Sequence, residues 1–194
     1  IIVVVMVRKT ELYLLMAAFA SMILWSYEKQ NDTGAYAANA KKYQPRAILS
    51  AIFNGLISVL KIWPILVVFM MLTQWILPDY PQQDDVRSLK IEGGPLFYEM
   101  FWKAGLVAPI VEELIFRGLL YPMLKKYIGV FWGCVTSSLL FSFIHDNVLS
   151  FALLFLISAY LTFLYERNNN LLIPIAGHVF FNVIMLSLIF IDGL

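Results

Sequence analysis

Charge is scarce in this 194-residue chain: Lys, Arg, Asp and Glu fill only 14% of its positions, whereas 61% are hydrophobic. A soluble domain carries roughly 25% charged residues to cover its wet surface. With a mean hydropathy of +0.77, this chain has too few, and a water-soluble fold is excluded. Net charge is +1, so there is neither a basic face for nucleic acid nor an acidic tail for cationic partners. Cysteine is nearly absent. The single Cys134 cannot form an internal disulfide and, within an apolar run, reads as a small buried hydrophobe. Also missing is the apolar-polar alternation of barrel strands. Internal repeats, low-complexity tracts and composition shifts are missing as well, so the simplest organisation is one membrane-embedded domain over 1–194. Arg8-Lys9 follow the apolar opening Ile1-Ile2-Val3-Val4-Val5-Met6-Val7 instead of preceding it, the wrong order for a signal peptide.

What the chain does have is long apolar runs. In hydrocarbon the backbone must satisfy its own hydrogen bonds, which leaves helices as the spanning element. The expected fold is all-α, a transmembrane helical bundle of five or six membrane helices with an interfacial helix. The first run is Leu12 to Trp25, followed by a polar stretch from Glu28 to Arg46. Ala47 to Leu77 is too long for one upright span and is interrupted by Lys61 and Pro64, so an interfacial helix leading into a span is expected there. Pro78 to Gly94, with Pro81, Asp84, Asp85 and Gly93-Gly94, reads as a loop. Leu96 to Leu124 is apolar but carries Glu112, Glu113 and Arg117, with Pro109 a candidate kink. Val130 to Ile144, Phe151 to Tyr165 and Leu171 to Ile191 follow, separated by His145 to Leu149 and by Glu166 to Asn170.

Loop charge suggests an orientation. If the Glu28–Arg46 loop is cytoplasmic, that side gains Lys29, Lys41, Lys42, Arg46, Lys125, Lys126 and Arg167, against Arg87 and Lys90 in the opposite loops, with the N-terminal Arg8 and Lys9 falling on the wrong side. Most of the tryptophans fall near span ends, as an interfacial belt would have them, and Lys61 and Lys103 read as snorkelling side chains.

Ionisable groups at a bilayer centre cost roughly 2.5–3.5 kcal/mol each on insertion scales, which makes each a functional hypothesis. Three sites stand out. In Glu112-Glu113-Leu114-Ile115-Phe116-Arg117 the second glutamate and the arginine lie at i and i+4 and can pair, while Glu112 projects about 100° away and stays available. Phe141 and His145 share one helix face, as do His178 and Asn182, and these segments hold both histidines of the chain. A bundle bringing the three faces together would supply a base for water, a partner to orient it and donors for an oxyanion. Asp146 and Asn147 read as a cap or turn.

The order EExxxR, FxxxH, HxxxN within apolar helices resembles the CPBP family of intramembrane proteases. That family includes type II CAAX prenyl endopeptidases and bacteriocin-processing or immunity proteins. The likeness extends to Ala108-Pro109-Ile110-Val111, Phe116-Arg117-Gly118 and Ser138-Leu139-Leu140-Phe141, and the catalytic core would occupy about residues 96–191. The resemblance implies that Glu112 activates water with His145, that His178 and Asn182 form the oxyanion hole, and that Glu113 and Arg117 are supporting residues. It leaves open whether a metal takes part. The HExxH spacing of zincins is absent, so no cofactor is expected and zinc is the disfavoured alternative. The expected partners are membrane lipid and a membrane-associated peptide or protein substrate, and the expected location is a bacterial plasma membrane. A non-catalytic membrane scaffold or immunity protein is the alternative, with a proton-coupled transporter behind it, since paired broken helices and inverted repeats are not evident.

Overall fold

The computed structural model describes residues 44–77, 88, 89, 91, 94–145 and 148–193. The Leu12–Trp25 run, most of the two polar stretches at 28–46 and 78–94, Trp25, Asp146 and Asn147 lie outside the described residues. Within them every regular element is helical, and the fold is a helical membrane bundle. Three helices are long and apolar enough to cross a membrane, over Pro45–Ile76, Ser150–Asn168 and Leu172–Ile191.

Helix α1, Pro45–Ile76, starts on a proline whose fixed φ suits the first turn and whose missing N–H is not needed there. It corrects the expectation of a helix broken at Lys61 and Pro64: both lie inside one continuous 32-residue helix. Pro64 costs only one backbone donor, and Lys61 keeps its head exposed. At 1.5 Å per residue α1 is about 48 Å long, well beyond a hydrocarbon thickness of about 30 Å, so it crosses tilted or projects from the bilayer.

Helix α2, Gly94–Met100, leads into a π-helical stretch, Phe101–Val107, then α3, Ala108–Ile115, then a second π-helical stretch, Phe116–Leu120. Helix α4, Tyr121–Phe143, is broken at Gly129, whose φ of 80° and ψ of 173° are open to a residue without Cβ. Lys125 and Lys126 therefore lie on the helix before the break, not in a connection. Beyond it, Gly133 passes close to the start of the same element: a Cβ there would stand 3.0 Å from the Lys125 backbone nitrogen.

Helix α5, Val148–Asn168, and α6, Leu172–Gly193, form an antiparallel pair. Their connection is built by three asparagines. Asn168 Nδ2 donates to the Leu164 carbonyl at 2.8 Å, Asn169 takes a left-handed φ of 45°, and Asn170 Oδ1 accepts from the Leu172 N–H at 3.1 Å. The turn is thus shorter than the Glu166–Asn170 connection expected, and Glu166 belongs to α5.

In lipid the hydrophobic effect does not drive helices together, so close packing and interhelical hydrogen bonds must. The α1–α6 seam uses glycine: a Cβ on Gly55 would lie 2.5 Å from the Ile173 oxygen and 2.8 Å from the Gly177 nitrogen. The core between α1, α5 and α6 holds Val59, Leu66, Leu154, Ile157, Leu161 and Phe181. Trp63, against the interfacial reading of the tryptophans, packs edge-on to Phe181 with centroids 5.8 Å apart. Trp75, Trp102 and Trp132 are exposed.

Candidate active site

The glutamates sit on α3, between the two π-helical stretches. Pro109 has no N–H with which to continue the α ladder, and the turn just before it is widened, with the Ala108 N–H bonding back to the Lys103 carbonyl. The second widened turn closes where the Tyr121 N–H reaches the Phe116 carbonyl. Short π segments inside α-helices recur at functional sites because they re-aim side chains and free carbonyls.

Six residues anticipated from the motifs, Glu112, Glu113, Arg117, His145, His178 and Asn182, are all buried, none more than 2% exposed. Glu113 and Arg117 pair as their i,i+4 spacing implied, Oε1 to Nη1 at 2.7 Å. The same Oε1 accepts from His178 Nδ1 at 2.8 Å. His145 Nδ1 lies 2.6 Å from the Phe141 carbonyl. A carbonyl only accepts, so this nitrogen carries the proton and His145 Nε2 holds a lone pair. The same logic applied to Glu113 and His178 leaves His178 Nε2 bare as well.

Both bare nitrogens face Glu112. His145 Nε2 is 3.8 Å from Oε1 and His178 Nε2 is 3.6 Å from Oε2. Neither Glu112 oxygen has a hydrogen-bond partner, nor does His145 Nε2. Four acceptors thus converge with no protein donor among them, an arrangement suited to a molecule that brings protons, such as water.

Asn182, one turn beyond His178 on α6, gives an Nδ2 hydrogen to the Ala104 carbonyl at 3.0 Å, inside the first π-helical stretch. The amide keeps a second N–H, and its Oδ1 is unpartnered. Phe141 is the hub of the site. Its ring lies 5.3 Å from the Arg117 guanidinium carbon, 4.6 Å from the His145 ring, 5.8 Å from that of His178 and 5.1 Å from that of Phe116. Among the described residues no group of three or more His, Cys, Asp or Glu is disposed to hold a metal ion.

Sequence reasoning missed the α5 side of the site. Arg117 Nη2 donates to the Ser158 carbonyl at 2.6 Å and to Ser158 Oγ at 2.8 Å, and Nε donates to Thr162 Oγ1 at 3.3 Å. Small hydroxyl residues inside an apolar helix were the available signal, since such groups bond across helices in membranes. Lower on the same helix, Glu166, expected to be an idle turn residue, accepts from Tyr121 at 2.8 Å and pairs with Lys125 at 2.5 Å. These groups line a polar pocket of about 340 Å³.

The family model described as Type II CAAX prenyl endopeptidase Rce1-like matches residues 95–184. A Bacillus subtilis (strain 168) protein described as "Putative membrane peptidase YdiL" is 29% identical over 79 residues, covering 41% of this chain and 32% of that relative. The chain thus spans about a third of the length of the curated relative it matches. No solved structure matches. Over residues 95–184, which hold every side chain of the buried cluster, the chain is similar to Rce1-like type II CAAX prenyl endopeptidases, the resemblance already legible in its motifs.

Proposed function

We propose that this protein is an intramembrane endopeptidase that hydrolyses a peptide bond of a membrane-associated peptide or protein, in a bacterial plasma membrane. The observation that carries the reading is the buried Glu112 carboxylate, unpartnered at both oxygens and flanked by the bare Nε2 atoms of His145 and His178. A structural carboxylate at such depth is expected to be paired, as Glu113 is. One that faces only acceptors is placed to take a proton.

In this reading Glu112 and His145 remove a proton from a water as its oxygen attacks the scissile carbonyl. The carbonyl electron pair moves onto its oxygen, where the second N–H of Asn182 is the donor already in place. Glu112 passes the proton it has taken to His178 Nε2, 3.6 Å from its Oε2, and His178, whose other nitrogen is committed to Glu113, becomes the second donor. Collapse of the tetrahedral species expels the amine, which leaves with the proton. Glu113 and Arg117 act as support.

Similarity to CAAX prenyl endopeptidases supports the peptidase class and does not name the substrate. The deciding experiment is mass spectrometry of peptide products from membranes carrying wild type or Glu112→Gln. Product from wild type and none from the variant, at equal expression, is the expected result. Equal product from both would refute the assignment.

A further inference from the structure

The Arg117 guanidinium forms a split fork. Nη1 goes to Glu113 Oε1, while Nη2 and Nε go to Ser158 and Thr162 on α5. The alternative arrangement of an arginine beside a carboxylate is bidentate, with two N–H groups on two oxygens, and it is the geometrically favoured one. Here it is prevented because Nη2 is held away. Glu113 accordingly engages through Oε1 alone, its Oε2 has no partner, and Oε1 is left in place for His178 Nδ1 at 2.8 Å. Thr162 Oγ1 is itself oriented by donating to the Ser158 carbonyl at 2.9 Å. The two residues form one fixed acceptor unit, fully buried.

We infer that Ser158 and Thr162 are positioning residues: by keeping the fork split they hold Glu113 on His178 Nδ1 and so set which imidazole nitrogen carries the proton, leaving Nε2 bare toward Glu112. Neither touches the reacting atoms. Their significance for turnover rests on the peptidase reading above, but their effect on His178 does not. Removing both hydroxyls frees Nε and leaves Nη2 only the Ser158 carbonyl, so the N–H that Ser158 Oγ accepted is released to close on Glu113 Oε2 and draw Oε1 away from His178.

The test is ¹⁵N NMR of histidine-labelled full-length protein in lipid nanodiscs, with the two signals assigned through a His145→Gln variant. The chain has two histidines, and His145 is an internal control because its Nδ1 is held by the Phe141 backbone, outside the fork. Wild type should show both imidazoles in the Nδ1–H form. In Ser158→Ala/Thr162→Val, His178 should become a mixture of tautomers while His145 stays unchanged; Thr162→Ser, which keeps the hydroxyl, should look like wild type. An unchanged His178 signal in the double variant overturns the inference, as does an equal disturbance of both histidines. If the double variant fails to fold, Thr162→Val alone decides by the same signal against Thr162→Ser. In a peptide-cleavage assay the double variant should lose up to about a hundredfold in kcat with KM little changed, as a misplaced group in an active site does. A shifted tautomer in a protein whose wild type releases no product would sink the peptidase reading and leave the positioning role standing.

Discussion

Two ion pairs meet the α5 side of the bundle about two helical turns apart, and they differ in almost every respect that matters. Arg117 reaches α5 from within the bundle, with no exposure on either side of its pair with Glu113. Lys125 reaches Glu166 near the end of α5 with side chains 41% and 31% exposed. The first has taken a guanidinium and a carboxylate out of water, and what offsets this is the set of partners around Arg117, namely Glu113, Ser158, Thr162 and the face of Phe141, while Glu113 Oε2 stays unpartnered. The second is wet and needs no such set of partners. A charge pair deep in the bundle specifies one arrangement of its surroundings, whereas one at the rim merely favours contact.

The comparison breaks most visibly at Arg117. Arg117→Met leaves Glu113 buried and unpaired, and should destabilise the protein by about 3–5 kcal/mol, read as loss of thermal stability in detergent. Adding Glu113→Gln should recover much of that loss, since removing both charges is far cheaper than removing one. No recovery would mean that the packing of the guanidinium matters more than its charge. Phe141→Ala removes the ring shared by both histidines and Arg117; a cost of about 3–5 kcal/mol is expected from the cavity. Lys125→Met should cost less than about 1 kcal/mol, and its effect should shrink in high salt. Glu112→Gln should leave stability unchanged or slightly raised, because it removes an unpaired carboxylate from hydrocarbon, while abolishing cleavage. Chelator-treated protein should retain activity; stoichiometric zinc found by elemental analysis in such active protein would contradict a metal-free Glu112 base.

Legibility in the sequence followed the same division. Contacts within one helix could be read from spacing: the Glu113–Arg117 pair, the Phe141–His145 bond and the shared face of His178 and Asn182 are all i,i+4 relations. The spans Phe151–Tyr165 and Leu171–Ile191 were legible because apolar length is a strong signal in lipid. Contacts between helices were not. Ser158 and Thr162 look unremarked in an apolar run until Arg117 is placed opposite them, and the tie of Asn182 to the Ala104 carbonyl depends on a widened backbone turn that no side chain announces. Lys61 and Pro64 were over-read as a break in α1, since a long helix tolerates one lost backbone bond when neighbouring turns stay intact.

The meeting of Gly55 with Gly177 has a consequence for access. Glu112 is only 1% exposed, so a substrate of the proposed peptidase would reach it only if some pair of elements parted. At this crossing backbone stands directly on backbone, with Gly177 the immediate neighbour of His178. Moving α1 there would drag on the very helix that presents His178 and Asn182. In the peptidase proposed above, that seam would be a fixed wall of the site.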